Sequence, residues 1–581
     1  MTKKEKIVFA CLLTFLLLPN ILGTFLASDL LTIGQRILYF ITSLCIYAFG
    51  LCVFKRRTFF YIFSAWFLLS AIEIVHLIIN QATTSMLFIF TCIKSEKGEF
   101  LELLSTYWPV VLLFFALWGV YYYLNHRFIK NEYIAPHKWR MATLITIVVF
   151  FALAIVMLSL RPKFRNLFNF RERDERTAAW VGCEKACPVN MGLGFYHIIS
   201  LALEIQRQEK ALSDFRFGIQ PPVTRHPSPV IVLLIGETSR YDHWQINGYE
   251  RPTSPYLAER KNIISFDSVF TVGNLTTVCV PYILSRATPE NPRLYYHETS
   301  VVDAFHEGGY HTAWIADQSF NNDFLMRIAN GCDYAKYVAD NGSDVFTDTV
   351  LLAPLRQVIT NQKSQMTNNA GDLIVLHSLG CHFKYSERYP DSFQLFTPDM
   401  KGINIHDMFH RVDEEAEGFA RLKPENMAVY QNLKTILINS YDNAILYTDY
   451  FIDRVIRELE ATGRPAVLVY VGDHGENLLD DERNMFLHGT YSGSKYEYHV
   501  PLFVWASDSY IRQHKNKWNA MLANTSKCFS TMTLFHSLLD LGDLHYAQLD
   551  STLLFTEPTL VSQPVIYGFD ANMLRIPLPI K

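Results

Sequence analysis

Hydrophobic positions in this chain follow two different rhythms. Over residues 1–160 they come in long blocks, near Ile7–Ala27, Ile37–Phe54, Phe60–Asn80, Tyr107–Leu124 and Met141–Leu160. Each block approaches the roughly 20 apolar residues that a helix needs to cross a bilayer, so five transmembrane helices are predicted. Beyond residue 229 the apolar runs are short: Val230–Ile235, His311–Ala316, Asp372–Leu376, Ala466–Val471 and Val500–Trp505. Such runs, rich in β-branched residues and separated by helical stretches, read as buried strands. Strands alternating with helices predict a mostly parallel sheet flanked by helices.

A third pattern lies between these regions. Arg161–Arg176 interleaves charge with Phe164, Leu167, Phe168 and Phe170, which suits a helix lying on the membrane surface. Gly194–Phe215 reads as an amphipathic helix, and Gln220–Pro229 as a stiff Pro-rich connector. The expected domains are a five-helix transmembrane domain, 1–160; amphipathic bridging helices and linker, 161–229; and an α/β domain, 230–581.

Charge sets the orientation. Lys3, Lys4, Lys6, Lys55, Arg56, Arg57, Arg127, Lys130, Lys138 and Arg140 fall on one side of the five blocks, and only Arg36, Lys94 and Lys97 on the other. The basic side is cytoplasmic, so the N-terminus is inside and everything after Leu160 is exported. Arg161, Lys163 and Arg165 argue the other way, but long domains translocate largely regardless of charge. The first block resembles a signal peptide at its basic start, yet it is longer than a normal signal core. Glu73 and His76 sit on one helix face within the third block, where a charged group turns toward the bundle interior. They read as an interhelical hydrogen bond rather than a substrate contact.

Residues 1–160 carry 13 Lys and Arg against 7 Asp and Glu, and residues 161–581 carry 39 against 49. The acidic exported part argues against nucleic-acid binding. Of ten Cys, Cys11, Cys45 and Cys52 fall in spans and the rest in the exported part, where disulfides persist. Cys183 and Cys187 form the best candidate pair. The chain has no C-x-x-C pair, which argues against a zinc ribbon.

In parallel sheets ligands bind beyond the carboxyl ends of the strands. Val230–Ile235 ends in Gly236-Glu237-Thr238, and Ala466–Val471 in Gly472-Asp473-His474-Gly475-Glu476-Asn477. Asp372–Leu376 leads into His377-Ser-Leu-Gly-Cys-His382. Carboxylates and imidazoles converging from three strand ends make a metal site, and the mixed oxygen and nitrogen donors suit zinc.

These motifs occur in a recognisable order. Gly236-Glu-Thr-Ser-Arg-Tyr-Asp-His243 is followed by Asn247-Gly-Tyr-Glu-Arg-Pro-Thr-Ser-Pro255 and Gly273-Asn-Leu-Thr276-Thr-Val-Cys-Val-Pro281. Then come Gly380-Cys-His382-Phe-Lys-Tyr-Ser-Glu-Arg-Tyr-Pro390, Asn439-Ser-Tyr-Asp-Asn443 with Tyr447-Thr-Asp449, Gly472-Asp-His-Gly-Glu476 and Leu487-His488-Gly489. The set resembles the lipopolysaccharide phosphoethanolamine transferases, membrane-anchored members of the alkaline phosphatase/sulfatase superfamily.

That resemblance implies a metal-dependent transferase with Thr276 as nucleophile and Zn2+ held by Glu237, Thr276, Asp473 and His474. Zinc ligation would lower the pKa of the threonine hydroxyl. His382 and His488 would hold phosphoryl oxygens or protonate the leaving group. The implied donor is phosphatidylethanolamine, which releases diacylglycerol and leaves phosphoethanolamine on Thr276. The implied acceptor is lipopolysaccharide, at lipid A or an inner-core sugar. A monomer in the inner membrane of a Gram-negative cell is expected, with the catalytic domain periplasmic.

Three departures stand out. Many relatives carry Cys on both sides of the nucleophile loop, where this chain has Val272 and Tyr282, so a less rigid loop is expected. The loop after the third span keeps Glu96 and Glu99, assigned to substrate, but has Cys92-Ile93 where relatives have Thr-Asn. After Trp314 some relatives carry a Lys near the phosphate, where this chain has Asp317-Gln318-Ser319. Competing readings are a sulfatase, a glycerol-phosphate transferase of the same superfamily and a non-catalytic membrane receptor. The sulfatase motif C-x-P-x-R begins at Cys279 but ends in Ile283 instead of Arg.

Overall fold

The computed structural model describes the chain apart from residues 28–32, 81–82, 85–96, 160–184, 197–198, 200–211, 213–214, 221–226, 319–322, 339–346, 364–370, 404–426, 481–484, 490–492, 570–572, 574 and 579–581. Seven strands form the central sheet: β1 (Val230–Gly236), β2 (Ile263–Ser265), β3 (His311–Ala316), β4 (Tyr334–Tyr337), β5 (Asp372–His377), β6 (Ala466–Gly472) and β7 (Leu502–Ala506). Their spatial order is β2-β7-β6-β1-β5-β3-β4. Neighbours from β6 through β1, β5 and β3 to β4 pair in parallel. β7 runs antiparallel to both β6 and β2. All five predicted strands are present. The short strands β2 and β4 lack the long apolar run that revealed the others.

The sheet is buried on both faces, as its unbroken apolar strands require. Ile231, Leu233 and Ile235 of β1 join one core with Val280, Ile283, Phe305 and Leu538. Val230, Val232 and Leu234 point into the opposite core, with Tyr441, Ile445, Ile452 and Ile456 of the long helix Met427–Thr462. Burying each such side chain stabilises the fold by about 1.5–3 kcal/mol. β1 therefore lies at the centre of the sheet, and its carboxyl end can serve as a rigid platform.

In the N-terminal half, helices Lys3–Leu26 and Ile33–Val53 are long and apolar enough to span a bilayer. The pair Arg56–Ile62 and Ser64–Ile78 supplies a third span if its 42° bend lies within one crossing. Helices Lys97–Phe128 and His137–Ser159 run over the sites predicted for spans four and five. Among the described residues, length and apolarity thus support two or three spans where five were expected.

The three basic clusters assigned to one side meet there. Arg56 lies 3.5 Å from Glu5 and 2.9 Å from Glu132. Lys130 N–H donates to Glu5 at 3.1 Å, and Arg140 donates to Cys52 C=O at 2.8 Å.

Elsewhere Asn20 Nδ2 donates to Cys187 C=O at 2.8 Å and Asn20 Oδ1 accepts from Cys187 N–H at 3.0 Å. Ser43 donates to the same carbonyl at 3.2 Å. Glu73 accepts from Thr84 N–H at 3.1 Å and from Asn190 Nδ2 at 2.9 Å. These Glu73 bonds therefore go to the chain after its own helix and to the segment after residue 184, rather than to a neighbouring span. The proposed Cys183–Cys187 pair cannot be placed, because Cys183 lies outside the described residues; Cys187 is buried. The expected surface helix 161–176 also lies outside them.

Candidate active site

Register brings the chemistry together. Gly236 of β1 stands opposite Gly472 of β6, so the next residues, Glu237 and Asp473, leave adjacent strand ends side by side. Asp473 N–H donates to Gly236 C=O at 2.8 Å, which fixes the start of its loop. His377 ends β5 in register with Ile235 and with Ala316 of β3. Beyond it, Gly380 has φ +48°, and a Cβ there would stand 2.8 Å from Glu237 O and 2.9 Å from Glu237 N. Only glycine lets this loop close over Glu237.

Thr276 opens the helix Thr276–Leu284, with no side-chain cap from Leu275. Its Oγ1 donates to Glu237 Oε2 at 2.7 Å and lies 3.3 Å from His474 Nε2. Thr277 Oγ1 is buried and makes no hydrogen bond. Of the two neighbouring hydroxyls, then, only Thr276 faces the acidic pocket. Cys279 is fully buried in the same helix, and burial raises its thiol pKa, which opposes a sulfatase-type role.

Asp473 uses one oxygen structurally. Oδ1 accepts from Thr238 N–H at 3.0 Å and from His474 N–H at 2.6 Å. Oδ2 is buried without a hydrogen bond, 3.6 Å from His474 Nε2. Glu237 Oε1 accepts from Thr238 Oγ1 at 2.7 Å and lies 3.3 Å from His474 Nε2. His474 Nδ1 is 2.9 Å from Gly475 C=O. A carbonyl only accepts, so Nδ1 carries a proton and Nε2 is directed at the carboxylates.

Burial penalises charge on both acids. It raises Asp473 to about 7, helped by the charge of Glu237. Glu237 is held ionised against the same burial by His474. Burial disfavours the His474 cation, but Asp473 and Glu237 outweigh it and push His474 up to about 10. The pocket thus strongly favours a positive charge at Nε2.

The two histidines expected near the substrate flank this pocket. The His488 ring centroid is 4.3 Å from that of His474 and 6.1 Å from that of His382. His488 Nδ1 lies 3.2 Å from Glu476 Oε1. Burial, then the charge of His474, lowers His488 to about 3. His382 Nδ1 lies 2.6 Å from Phe383 C=O, and Arg388 Nε donates to His382 C=O at 3.0 Å. Glu96 lies outside the described residues, and Glu99 stands in helix Lys97–Phe128, so neither is placed against the site.

Sequence reasoning missed three participants. Glu476 backs His488, although it was legible within the Gly-Asp-His-Gly-Glu motif. Gln318 donates to Glu237 Oε2 at 3.0 Å and to Ser378 C=O at 2.7 Å. It follows β3 at a strand end, the signal that could have found it. Glu497 accepts from Asn274 Nδ2 at 2.8 Å, and no motif marked it.

The donors fit a metal ion. One ligand atom each from Glu237, His474 and His488 lies within 4.8 Å of the others. The unpartnered oxygen of Asp473 and the Thr276 hydroxyl face the same group, so the set expected from sequence is assembled and His488 joins it. Mixed carboxylate and imidazole donors match zinc.

Carboxylate and imidazole donors able to hold a metal thus lie at the carboxyl ends of parallel strands, beside a hydroxyl on a helix N-terminus. The family model described as Sulfatase matches residues 229–544, more than half of the chain, and the chain belongs to that family. Within it, the chain is similar to the Kdo(2)-lipid A phosphoethanolamine 7''-transferase of Escherichia coli K12, 29% identical over 293 residues, which are 49% of this chain and 46% of that protein. It is also similar to phosphoethanolamine transferase EptC of the same strain, 26% identical over 487 residues, or 81% of this chain and 77% of that protein. The chain thus spans about half the length of the first relative and about three quarters of the second.

Among solved structures it resembles the integral membrane protein lipooligosaccharide phosphoethanolamine transferase A (EptA) from Neisseria meningitidis, with TM-score 0.70 and 20% identity, covering 94% of this chain and 97% of that one. It also resembles the C-terminal periplasmic domain of EcEptC from E. coli in complex with Zn, with TM-score 0.50 and 24% identity, covering 61% of this chain and 92% of that one. At these identities the structural likeness is one of fold.

Proposed function

We propose that the chain is a zinc-dependent transferase that moves phosphoethanolamine from phosphatidylethanolamine to lipopolysaccharide. The observation that carries this reading is Thr276 Oγ1, 2.7 Å from Glu237 and 3.3 Å from His474 beside the unpartnered oxygen of Asp473. The names of the relatives supply the group transferred.

Zinc held by Glu237, Thr276, Asp473 and His474 would lower the hydroxyl pKa and neutralise charge gathering on the phosphoryl oxygens. In the first step Thr276 Oγ1, its proton lost to solvent, bonds to phosphorus as the bond to the diacylglycerol oxygen breaks. His382 gives that oxygen its proton. In the second step a phosphate or sugar hydroxyl of the glycolipid returns a proton to His382 and takes the group from Thr276, which leaves as the alkoxide. With Nδ1 turned to Glu476 and its pKa lowered by burial, His488 stays neutral beside the metal group. The uncapped N-terminus of the Thr276 helix favours the anionic group on this oxygen.

The five apolar blocks support a multi-pass inner-membrane protein with a cytoplasmic N-terminus and a periplasmic domain from residue 230. Both substrates are lipids whose head groups lie at the outer leaflet, so anchoring raises their effective concentration.

The test is mass spectrometry of lipopolysaccharide from cells carrying the parent, Thr276→Ala or Thr277→Ala chains. The parent and Thr277→Ala add one phosphoethanolamine, on the lipid A or the core fragment. Thr276→Ala loses the modification by about 10³-fold or more, the scale of a lost nucleophile. Modification that survives Thr276→Ala overturns the reading.

A further inference from the structure

We propose that the C-terminal strand pair is a brace that sets the position of Thr276, with Phe569 as its positioning residue. The inference rests on the reading of Thr276 as nucleophile. The strands Tyr567–Phe569 and Arg575–Pro577 pair antiparallel and lie against the loop that carries Thr276. Phe569 N–H donates to Val272 C=O at 2.7 Å. The Phe569 ring lies 5.3 Å from the Tyr282 ring. Phe569 therefore touches the chain four residues before Thr276 and again six residues after it, at the two positions left without a disulfide.

These contacts form one apolar cluster. Val272, Leu275, Val278, Tyr282 and Phe569 are buried together. Gly568 brings the backbones close: a Cβ there would stand 2.5 Å from Val272 O. A second set of contacts anchors the brace to the catalytic loops. Tyr498 OH donates to Phe569 C=O at 3.2 Å, and Tyr498 C=O accepts from Thr271 N–H at 2.9 Å. Arg575 reaches Glu290 at 2.7 Å and stacks on Tyr567. The loop is therefore packed at the two positions where many relatives carry cysteines. Phe569 touches no reacting atom, so it acts by fixing where Thr276 Oγ1 stands, and small displacements of a reacting group are costly.

The experiment uses the full chain in detergent and measures diacylglycerol release from phosphatidylethanolamine. Gly568→Ala pushes the brace off Val272, and Phe569→Ala removes its ring. Both are expected to lower kcat at least tenfold, with KM within twofold of the parent. Phe569→Leu keeps apolar bulk, is expected to lose less, and carries the test if the other two do not fold: kcat lowered threefold or more at unchanged KM supports the brace. An unchanged kcat, or a loss that falls on KM as much as on kcat, overturns it. Thr276→Ala is measured alongside. If it stays active, the functional reading fails; if it is inactive while the brace variants match the parent, only the brace fails.

Discussion

Replacing Asp473 with Asn tests whether the acidic corner is built for a cation. The side chain keeps its shape, and Asn Oδ1 can still accept from Thr238 and His474 N–H. What disappears is the charge on the buried oxygen that makes no hydrogen bond. An acid raised from 3.8 to about 7 is disfavoured as the anion by about 4 kcal/mol, at 1.36 kcal/mol for each pH unit. Glu237 shares in this penalty, so the variant without metal is expected to gain about 1–4 kcal/mol at pH 8. The sign follows from linkage. Below the unfolded pKa near 4 the acid is protonated in both states and the gain vanishes. It grows as pH climbs toward 7 and is complete above it. Zinc acts oppositely: at 100 times its Kd it stabilises the parent by about 2.7 kcal/mol, and this increment is expected to vanish in Asp473→Asn. Thermal unfolding of the full chain in detergent, followed by tryptophan fluorescence at pH 5 and pH 8 with chelator or zinc, reads both effects. A metal-free variant less stable than the parent at pH 8, or one that zinc stabilises equally well, refutes the reasoning.

Gly380→Ala places a methyl against the Glu237 backbone at a positive φ; strain of about 1–3 kcal/mol and weaker zinc binding are expected, read by unfolding and by metal titration. Gln318→Ala removes one donor to Glu237, and a loss of about 0.5–1.5 kcal/mol in transition-state stabilisation is expected, read as a fall in kcat of up to about tenfold.

The long apolar strands and the carboxylates behind them were legible because a buried parallel sheet writes its position into unbroken hydrophobic runs. β1, β5 and β6 announced Glu237, His377 and Asp473 in this way. Gln318 was open to the same reading from its place just past β3, whereas Glu497 was not legible, since its role comes from loop packing that no local pattern encodes. The brace at Phe569 was hidden for the same reason: it acts almost 300 residues from Thr276 in sequence. In the membrane half, block lengths suggested five crossings, whereas among the described residues the helices support two by length and apolarity, with a third if the 42° bend lies within one span.

The bonds from Asn20 and Ser43 to Cys187, and from Glu73 to Asn190, shorten the leash of the catalytic head. On the other side Phe217 and Ile219 are buried in the core of the α/β domain, and the N–H groups of Phe217, Gly218 and Ile219 donate to Glu307, so fewer than thirty residues connect the two anchored points. That short connection bounds how far the α/β domain can stand from the N-terminal helices, at roughly 3.3–3.6 Å for each intervening residue.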